Sequence, residues 1–271
     1  MSNQASLSSL LGDAGLDPAA TSAMQLTADT LGPAIQAGLG TVTLDDINTA
    51  EVVLVTLLVD DSSSIRFVSG NTEAVRDGHN LVIDSLRGSK QSAAVLASCR
   101  YLNGGLSAPL GVLYPYRPLS GAVLLDAHNY NPSGGTPLYD QVAVTLTGVA
   151  AKMAEFEQGG VAARAVTAII TDGHDEGSRR HDAHSVAPIA SGLLLTESHI
   201  IIGMGIRDGS TDFNHVFTEM GILPEWILTP GNTPSEIRRA FAVVSQSAVR
   251  ASQAAGAGFS QVTLGGFMPT V

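Results

Sequence analysis

A chain of 271 residues with 44% hydrophobic content is long enough to close one sizeable core and does not require a second. Its 29 glycines and 5% aromatics suit helices packed closely on a sheet better than an aromatic-rich β-sandwich. The formal net charge of -11 opposes contact with nucleic acid or an anionic membrane surface, and the single cysteine, Cys99, excludes an internal disulfide and a four-cysteine zinc site.

Met1 to Gly12 (MSNQASLSSLLG) has neither a basic n-region nor an apolar h-region, and no run elsewhere approaches the ~20 apolar residues of a membrane span. The expectation is a cytoplasmic protein. The first 48 residues read as an extension with one or two short helices around Pro18 to Leu39, ahead of a domain over 49–250 and a tail over 251–271. In that tail, Phe259, Val262, Leu264 and Phe267 are the side chains able to dock.

The domain opens with Glu51 to Asp60 (EVVLVTLLVD), an almost continuous apolar run rich in β-branched residues, as expected of a strand buried on both faces. Asn71 to Leu86 then places Val75, His79, Val82, Ile83 and Leu86 at helical spacing. Ala93 to Leu102 and Gly111 to Tyr116 read as a strand pair, giving one antiparallel edge, with Cys99 as a small buried hydrophobe. Pro137 to Phe156 is helical, Ala165 to Asp172 (AVTAIITD) is a second buried strand, and Asp182 to Leu195 is helical again. His199 to Ile206 (HIIIGMGI) is a third strand, where Gly203 and Gly205 allow close backbone packing. Trp226 to Thr229 is a short last strand, and Thr233-Pro-Ser-Glu opens a helix to about Arg250. This order is that of a doubly wound, mostly parallel α/β sheet with helices on both faces, whose ligands bind at the carboxyl ends of the strands. Asp60 and Asp172 fall there.

Asp60-Asp61-Ser62-Ser63-Ser64 carries D-x-S-x-S from the last residue of a buried strand, so its oxygen-bearing side chains emerge together. Ser133-Gly-Gly-Thr-Pro-Leu-Tyr-Asp140 puts Thr136 on a glycine-flexed loop before a helix, and Thr171-Asp172-Gly173 ends another strand. Taken singly, each is equally a helix cap or turn, because Asp and Ser are preferred there. Together they offer hydroxyl and carboxylate oxygens from three loops. Mg²⁺ wants about six hard oxygens and keeps some waters, whereas Ca²⁺ normally takes more direct carboxylates.

In this order and spacing the three motifs resemble the metal-ion-dependent adhesion site (MIDAS) of von Willebrand factor type A (VWA) domains. The resemblance covers roughly Glu51 to Arg250. It implies a VWA/Rossmann-like fold in which Ser62, Ser64 and Thr136 supply hydroxyl oxygens to Mg²⁺, with Mn²⁺ or Ca²⁺ as alternatives. Asp60 and Asp172 bind directly or orient waters, and an Asp or Glu of a protein partner completes the shell. The last helix, AFAVVSQSAVRAS, is similar to that of intracellular bacterial VWA proteins associated with tellurite resistance. That similarity implies a stress-response or defence setting, with an AAA+ ATPase or other operon-encoded protein as partner.

After Asp172, the segment Gly173-His-Asp-Glu-Gly-Ser-Arg-Arg-His-Asp-Ala-His184 is expected to shape a partner-contact rim through His174, Asp175, His181 and His184, together with Asp61. His181 and His184 stand three apart, a spacing that also suits a transition-metal site. The chain lacks G-x-S-x-G, a P-loop and a strand-linked G-x-G-x-x-G, and its 14 Lys plus Arg offer little for a phosphate clamp. The first expectation is therefore a binding module, not an enzyme. A metal-dependent hydrolase using the same cluster and a self-assembling structural subunit are the alternatives.

Overall fold

The computed structural model describes residues 6–47, 49–103, 108–254 and 264–267. Two N-terminal helices, α1 (Leu7–Gly12) and α2 (Pro18–Leu39), precede β1 (Glu51–Val59) and α3 (Asn71–Arg87). Then come β2 (Val95–Tyr101), β3 (Val112–Pro118), α4 (Leu138–Gln158), β4 (Ala162–Thr171), α5 (Ala183–Leu195), β5 (His199–Gly205), α6 (Phe213–Glu219), β6 (Ile227–Leu228) and α7 (Pro234–Gln253). The sheet runs β3-β2-β1-β4-β5-β6, parallel throughout except for the antiparallel β3. This is the expected doubly wound α/β sheet. It reverses its winding between β1 and β4, where such sheets open a ligand crevice.

β1 is the central strand, and every residue after Glu51 is buried because helices cover both faces. On one face α3 turns Val75, His79, Val82, Ile83 and Leu86 inward, and α7 lies against it so closely that a Cβ on Gly78 would stand 2.1 Å from the Phe241 ring. At the far end of the sheet Gly203 and Gly205 face the rings of Phe217 and Phe213 on α6, a helix not foreseen from periodicity, and each glycine makes room for an aromatic ring.

The other face departs from a two-layer picture. α4 is buried nearly all round, from Val142 to Ala154, because its outer side is covered by α1 and α2. α2 runs as one kinked helix, bent at Leu31 just before Pro33. Its Ala20, Met24, Thr27 and Ile35 are fully buried. The fit depends on small residues opposite: Gly148 on α4 faces Ile35, and a Cβ on Gly192 of α5 would stand 2.2 Å from that of Ala20. Polar contacts fasten the same segment. Buried Arg100 donates to the carbonyls of Ala34 (3.1 Å) and Leu110 (3.2 Å), and buried Lys152 donates to the carbonyl of Val42 at 2.6 Å. Behind α7, Phe267 packs edge-on to Trp226 with ring centroids 5.4 Å apart, and Leu264 joins the core margin. Phe259 and Val262 lie outside the described residues.

Two buried histidines set the acid sensitivity of this core. Burial pushes His79, hydrogen-bonded to Asn80 and the Tyr114 hydroxyl, down to about 4, and pushes His199, bonded to Thr167, down to about 3. Both stay neutral in the folded chain while the unfolded chain protonates them near 6.5, so the unfolded state binds more protons below that pH. The histidine contribution to stability therefore falls as pH drops from about 6.5 towards 4, by up to about 1.4 kcal/mol per pH unit per histidine, against the opposite slope of the raised Asp60 and Asp172 carboxylates. Urea midpoints of the wild type and His79→Gln, which cannot protonate, isolate the term: the wild type is expected to lose stability relative to the variant as pH falls through that window.

Candidate metal centre

β1 delivers Asp60 to the crevice, where its backbone N–H still bonds the Ile170 carbonyl of β4 at 3.0 Å. The Asp60 carboxylate is fully buried and accepts three hydrogen bonds: from Ser62 N–H (2.7 Å), the Thr171 hydroxyl (2.7 Å) and Asp172 N–H (3.2 Å). It thus ties the end of β1 to the end of β4. The Tyr130 hydroxyl holds its carbonyl at 2.5 Å.

Around this anchor the other predicted residues converge. The Ser64 hydroxyl donates to Asp172 Oδ1 at 2.6 Å, the Ser62 hydroxyl lies 3.5 Å from that oxygen, and the two hydroxyl oxygens are 2.9 Å apart. Neither serine is used as a cap, since Ser62 precedes the 3-10 turn Ser63–Phe67 without a side-chain capping bond. Thr136 does not cap α4 either, for that position is Pro137. Thr136 instead pairs through its backbone with Glu176, N–H to carbonyl at 3.1 Å and the reverse at 2.8 Å, which seats it beside the Asp172–Gly173 turn. Two glycines permit that approach: Gly134 has φ +83°, and a Cβ on Gly135 would stand 2.8 Å from the Glu176 carbonyl. Ser62, Thr136 and Asp172 are 1%, 4% and 3% exposed, and Ser64 is half-buried, so the cluster lies mostly below the surface.

The electrostatics follow from two carboxylates packed together. Burial raises Asp60 above the usual carboxylate range; burial and then the adjacent Asp60 carry Asp172 up to about 7, against the lowering effect of the serine hydroxyls. No Lys, Arg or His among the described residues forms an ion pair with either. Likewise no three His, Cys, Asp or Glu side chains among the described residues are grouped to hold a metal, so a cation here depends on the hydroxyls. Two hydroxyls on one carboxylate, backed by a second, are a hard-oxygen donor set that fits a dication such as Mg²⁺.

The expected rim is only partly a rim. His174 and His184 are exposed, and His174 stands 3.4 Å from Glu176. Asp61 is turned inward: its carboxylate takes the Asn103 N–H at 2.6 Å and its carbonyl the Ser133 N–H at 2.6 Å, tying together two neighbouring loops. His181 is 8% exposed, its ring lying 3.3 Å from both the Thr27 hydroxyl of α2 and the Ser185 hydroxyl. His181 is used by the N-terminal helix, a contact that spacing does not reveal, and among the described residues no group of three His, Cys, Asp or Glu includes it with His184. Asp175 accepts from Tyr139 N–H and from Ser178, clamping the loop to the start of α4.

Asp140, the last residue of the Gly-Gly-Thr segment, organises this loop. From the first turn of α4 its carboxylate accepts the N–H groups of Arg179 (2.8 Å), Arg180 (3.0 Å) and His181 (2.8 Å). Asp140→Ala leaves three donors unmatched. It is expected to remove about 1–3 kcal/mol of stability, to speed amide exchange over residues 174–181, and to weaken metal binding about tenfold. Exchange confined to its wild-type rate would refute the assigned role.

In sequence, neither a family model nor a curated protein matches the chain. In structure it resembles the pilus adhesin SpaC of Lactobacillus rhamnosus GG, with a TM-score of 0.51 and 13% identity over 78% of this chain and 32% of that one. It is also similar to proximal thread matrix protein 1 of the mussel byssus in a form with a zinc-occupied MIDAS motif (TM-score 0.46, 15% identity, 73% and 46% of the two chains). A further likeness is to the SpRpn10 VWA domain (0.44, 12%, 69% and 93%). At those scores the last two add nothing to the fold assignment. The chain spans about a third of the adhesin and about half of the mussel protein. The strand order, the antiparallel edge strand and the crevice between β1 and β4 define a VWA/Rossmann-like α/β fold.

Proposed function

We propose that this chain is a metal-dependent protein-interaction module. Ser62, Ser64 and Thr136, with Asp60 and Asp172, would hold Mg²⁺, with Mn²⁺ or Ca²⁺ as alternatives, and an Asp or Glu of a partner protein would complete the coordination. The observation that carries this reading is the direction of the serine hydroxyls, which leave the adjoining helical turn uncapped and point at Asp172 in the crevice. When bound, a dication with few anionic ligands remains electrophilic and attracts a partner's carboxylate. The chain's own work is to keep Asp60 locked by three donors, so that Ser62 and Asp172 keep their mutual geometry.

Binding is the reading preferred over catalysis because the serine hydroxyls are directed to Asp172 as a donor set; turnover of a generic phosphoester would favour the metal-dependent hydrolase instead. The net charge of -11 disfavours nucleic acid, and no described helix is long and apolar enough to cross a membrane. The resemblance of the last helix supports a cytoplasmic bacterial setting in stress response or defence, with an AAA+ ATPase or operon-encoded protein as partner.

Titration calorimetry of the metal-stripped chain tests the reading. One saturable site for Mg²⁺ or Mn²⁺ is expected. Absence of heat and of any melting-temperature response to Mg²⁺, Mn²⁺, Ca²⁺ and Zn²⁺ would overturn it.

A further inference from the structure

Phe67 is the most exposed large apolar side chain among the described residues, at 80%, and it stands three positions beyond Ser64. The 3-10 turn explains this placement. Ile65, 1% exposed, anchors the turn, so Arg66 and Phe67 are turned to solvent beside the hydroxyl cluster. At about 2 Å of rise per residue, Phe67 lies within roughly 6 Å of Ser64 along the turn. An exposed apolar side chain is ordinary by itself. The charge around this one gives it a direction.

Three loops touch one another in a continuous ledge on this side of the crevice. Asn71, at the start of α3, hydrogen-bonds Asn232, and Pro234 lies against Gly70, so the β1–α3 and β6–α7 connections touch. Arg207 N–H then bonds the Pro230 carbonyl at 3.0 Å, bringing in the β5–α6 connection. The Arg207 side chain borders a cleft of about 390 Å³ with Thr211, Asn214 and Thr229, and reaches Thr229 only at 3.4 Å.

The acids at this end of the sheet are already engaged by their own loops. Asp208 takes the N–H and hydroxyl groups of Ser210 and Thr211, Asp212 caps α6 through His215 N–H, and Asp140 takes the N–H groups of residues 179–181. Arg66 and Arg207 are exposed and form no ion pair among the described residues. Neutral donors do not cancel carboxylate charge, so on a chain of net charge -11 the mouth is not positive overall; what it offers is two exposed arginines without an ion pair among the described residues, beside an exposed aromatic ring.

Resting on the metal-dependent reading above, we propose that the partner docks with an acidic, apolar-containing segment. One Asp or Glu reaches the cation, an adjacent bulky apolar side chain covers Phe67, and a second carboxylate meets Arg66 or Arg207. Phe67 acts as the aromatic anchor and the arginines set orientation and encounter rate.

The test selects phage-displayed random peptides on the Mg²⁺-loaded chain and elutes them with EDTA. The result expected is enrichment of an acidic residue next to Leu, Ile, Phe or Trp, with a second acid nearby. Phe67→Ala should weaken the selected peptide about tenfold or more. The double variant Arg66→Ala/Arg207→Ala should weaken it a few fold and flatten its salt dependence. Both variants should keep wild-type Mg²⁺ affinity by calorimetry. Acidic peptides with no apolar preference, selected peptides indifferent to Phe67→Ala, or no EDTA-eluted peptides from a chain that binds Mg²⁺ would each overturn this proposal and leave the metal-dependent reading standing. Failure of the chain to respond to Mg²⁺, Mn²⁺, Ca²⁺ and Zn²⁺ alike would overturn that underlying reading.

Discussion

Asp60→Ala is expected to cut the melting-temperature rise that excess Mg²⁺ produces in the wild-type chain to about half or less. The reasoning separates two terms. Asp60 gathers Ser62 N–H, Asp172 N–H and the Thr171 hydroxyl on one carboxylate, so its loss frees the two segments that carry the hydroxyl and carboxylate donors. Loss of such an orienting group lowers metal affinity about 10–100-fold. Against this, each orphaned donor costs about 1–3 kcal/mol, offset in part because the carboxylate removed was itself disfavoured by burial. The comparison is therefore of the Mg²⁺-induced shift within each protein, not of their metal-free melting temperatures. In the wild type, Mg²⁺ at about a hundred times its Kd would add about 2.7 kcal/mol. Thermal melts of both proteins with and without Mg²⁺ provide the comparison. An undiminished Mg²⁺ shift in Asp60→Ala would remove Asp60 from the site.

Ile35→Ala is expected to destabilise the chain by about 2–5 kcal/mol, the range for truncating a fully buried isoleucine. An appended helix packed on a finished domain would lose far less, because surface changes stay within about 0.5 kcal/mol. The larger figure follows from the packing. Ile35 faces Gly148 on α4, and α4 has no exposed side over most of its length unless α1 and α2 are removed. Gly192→Val probes the same interface from the other partner, where even a Cβ would overlap Ala20, and should cost a similar amount through overpacking. Urea unfolding with unchanged m-value would place both effects in the native core. Losses under about 0.5 kcal/mol in both variants would make residues 7–39 a dispensable extension.

The central strands and the oxygen-bearing motifs at their ends were legible because both are local properties. Nine-residue β1 is apolar at nearly every position, and β4 and β5 read the same way, since a strand covered on both faces has no polar side to alternate. D-x-S-x-S, the Gly-Gly-Thr loop and T-D-G each sit at a strand end or helix start, and the strand order alone brings them together. Helix faces were equally readable where one side meets water, as in α3. α6 escaped because its seven residues are too short for a period to emerge, although the glycines of β5 that accommodate its rings were visible.

What tertiary structure alone decided lies in contacts between segments far apart in sequence. His181 read as a rim residue, yet its ring lies against Thr27, 154 residues away. Asp61 looked like a rim residue and is turned into the space between Asn103 and Ser133. The burial of α4 on all sides, the service of Arg100 and Lys152 to the N-terminal segment, and the outward turn of Phe67 share that origin. Sequence determines which oxygens and apolar groups are available and at what local period. Which of them face each other, and which is left facing solvent, is settled only when distant helices compete for the same two faces of one sheet.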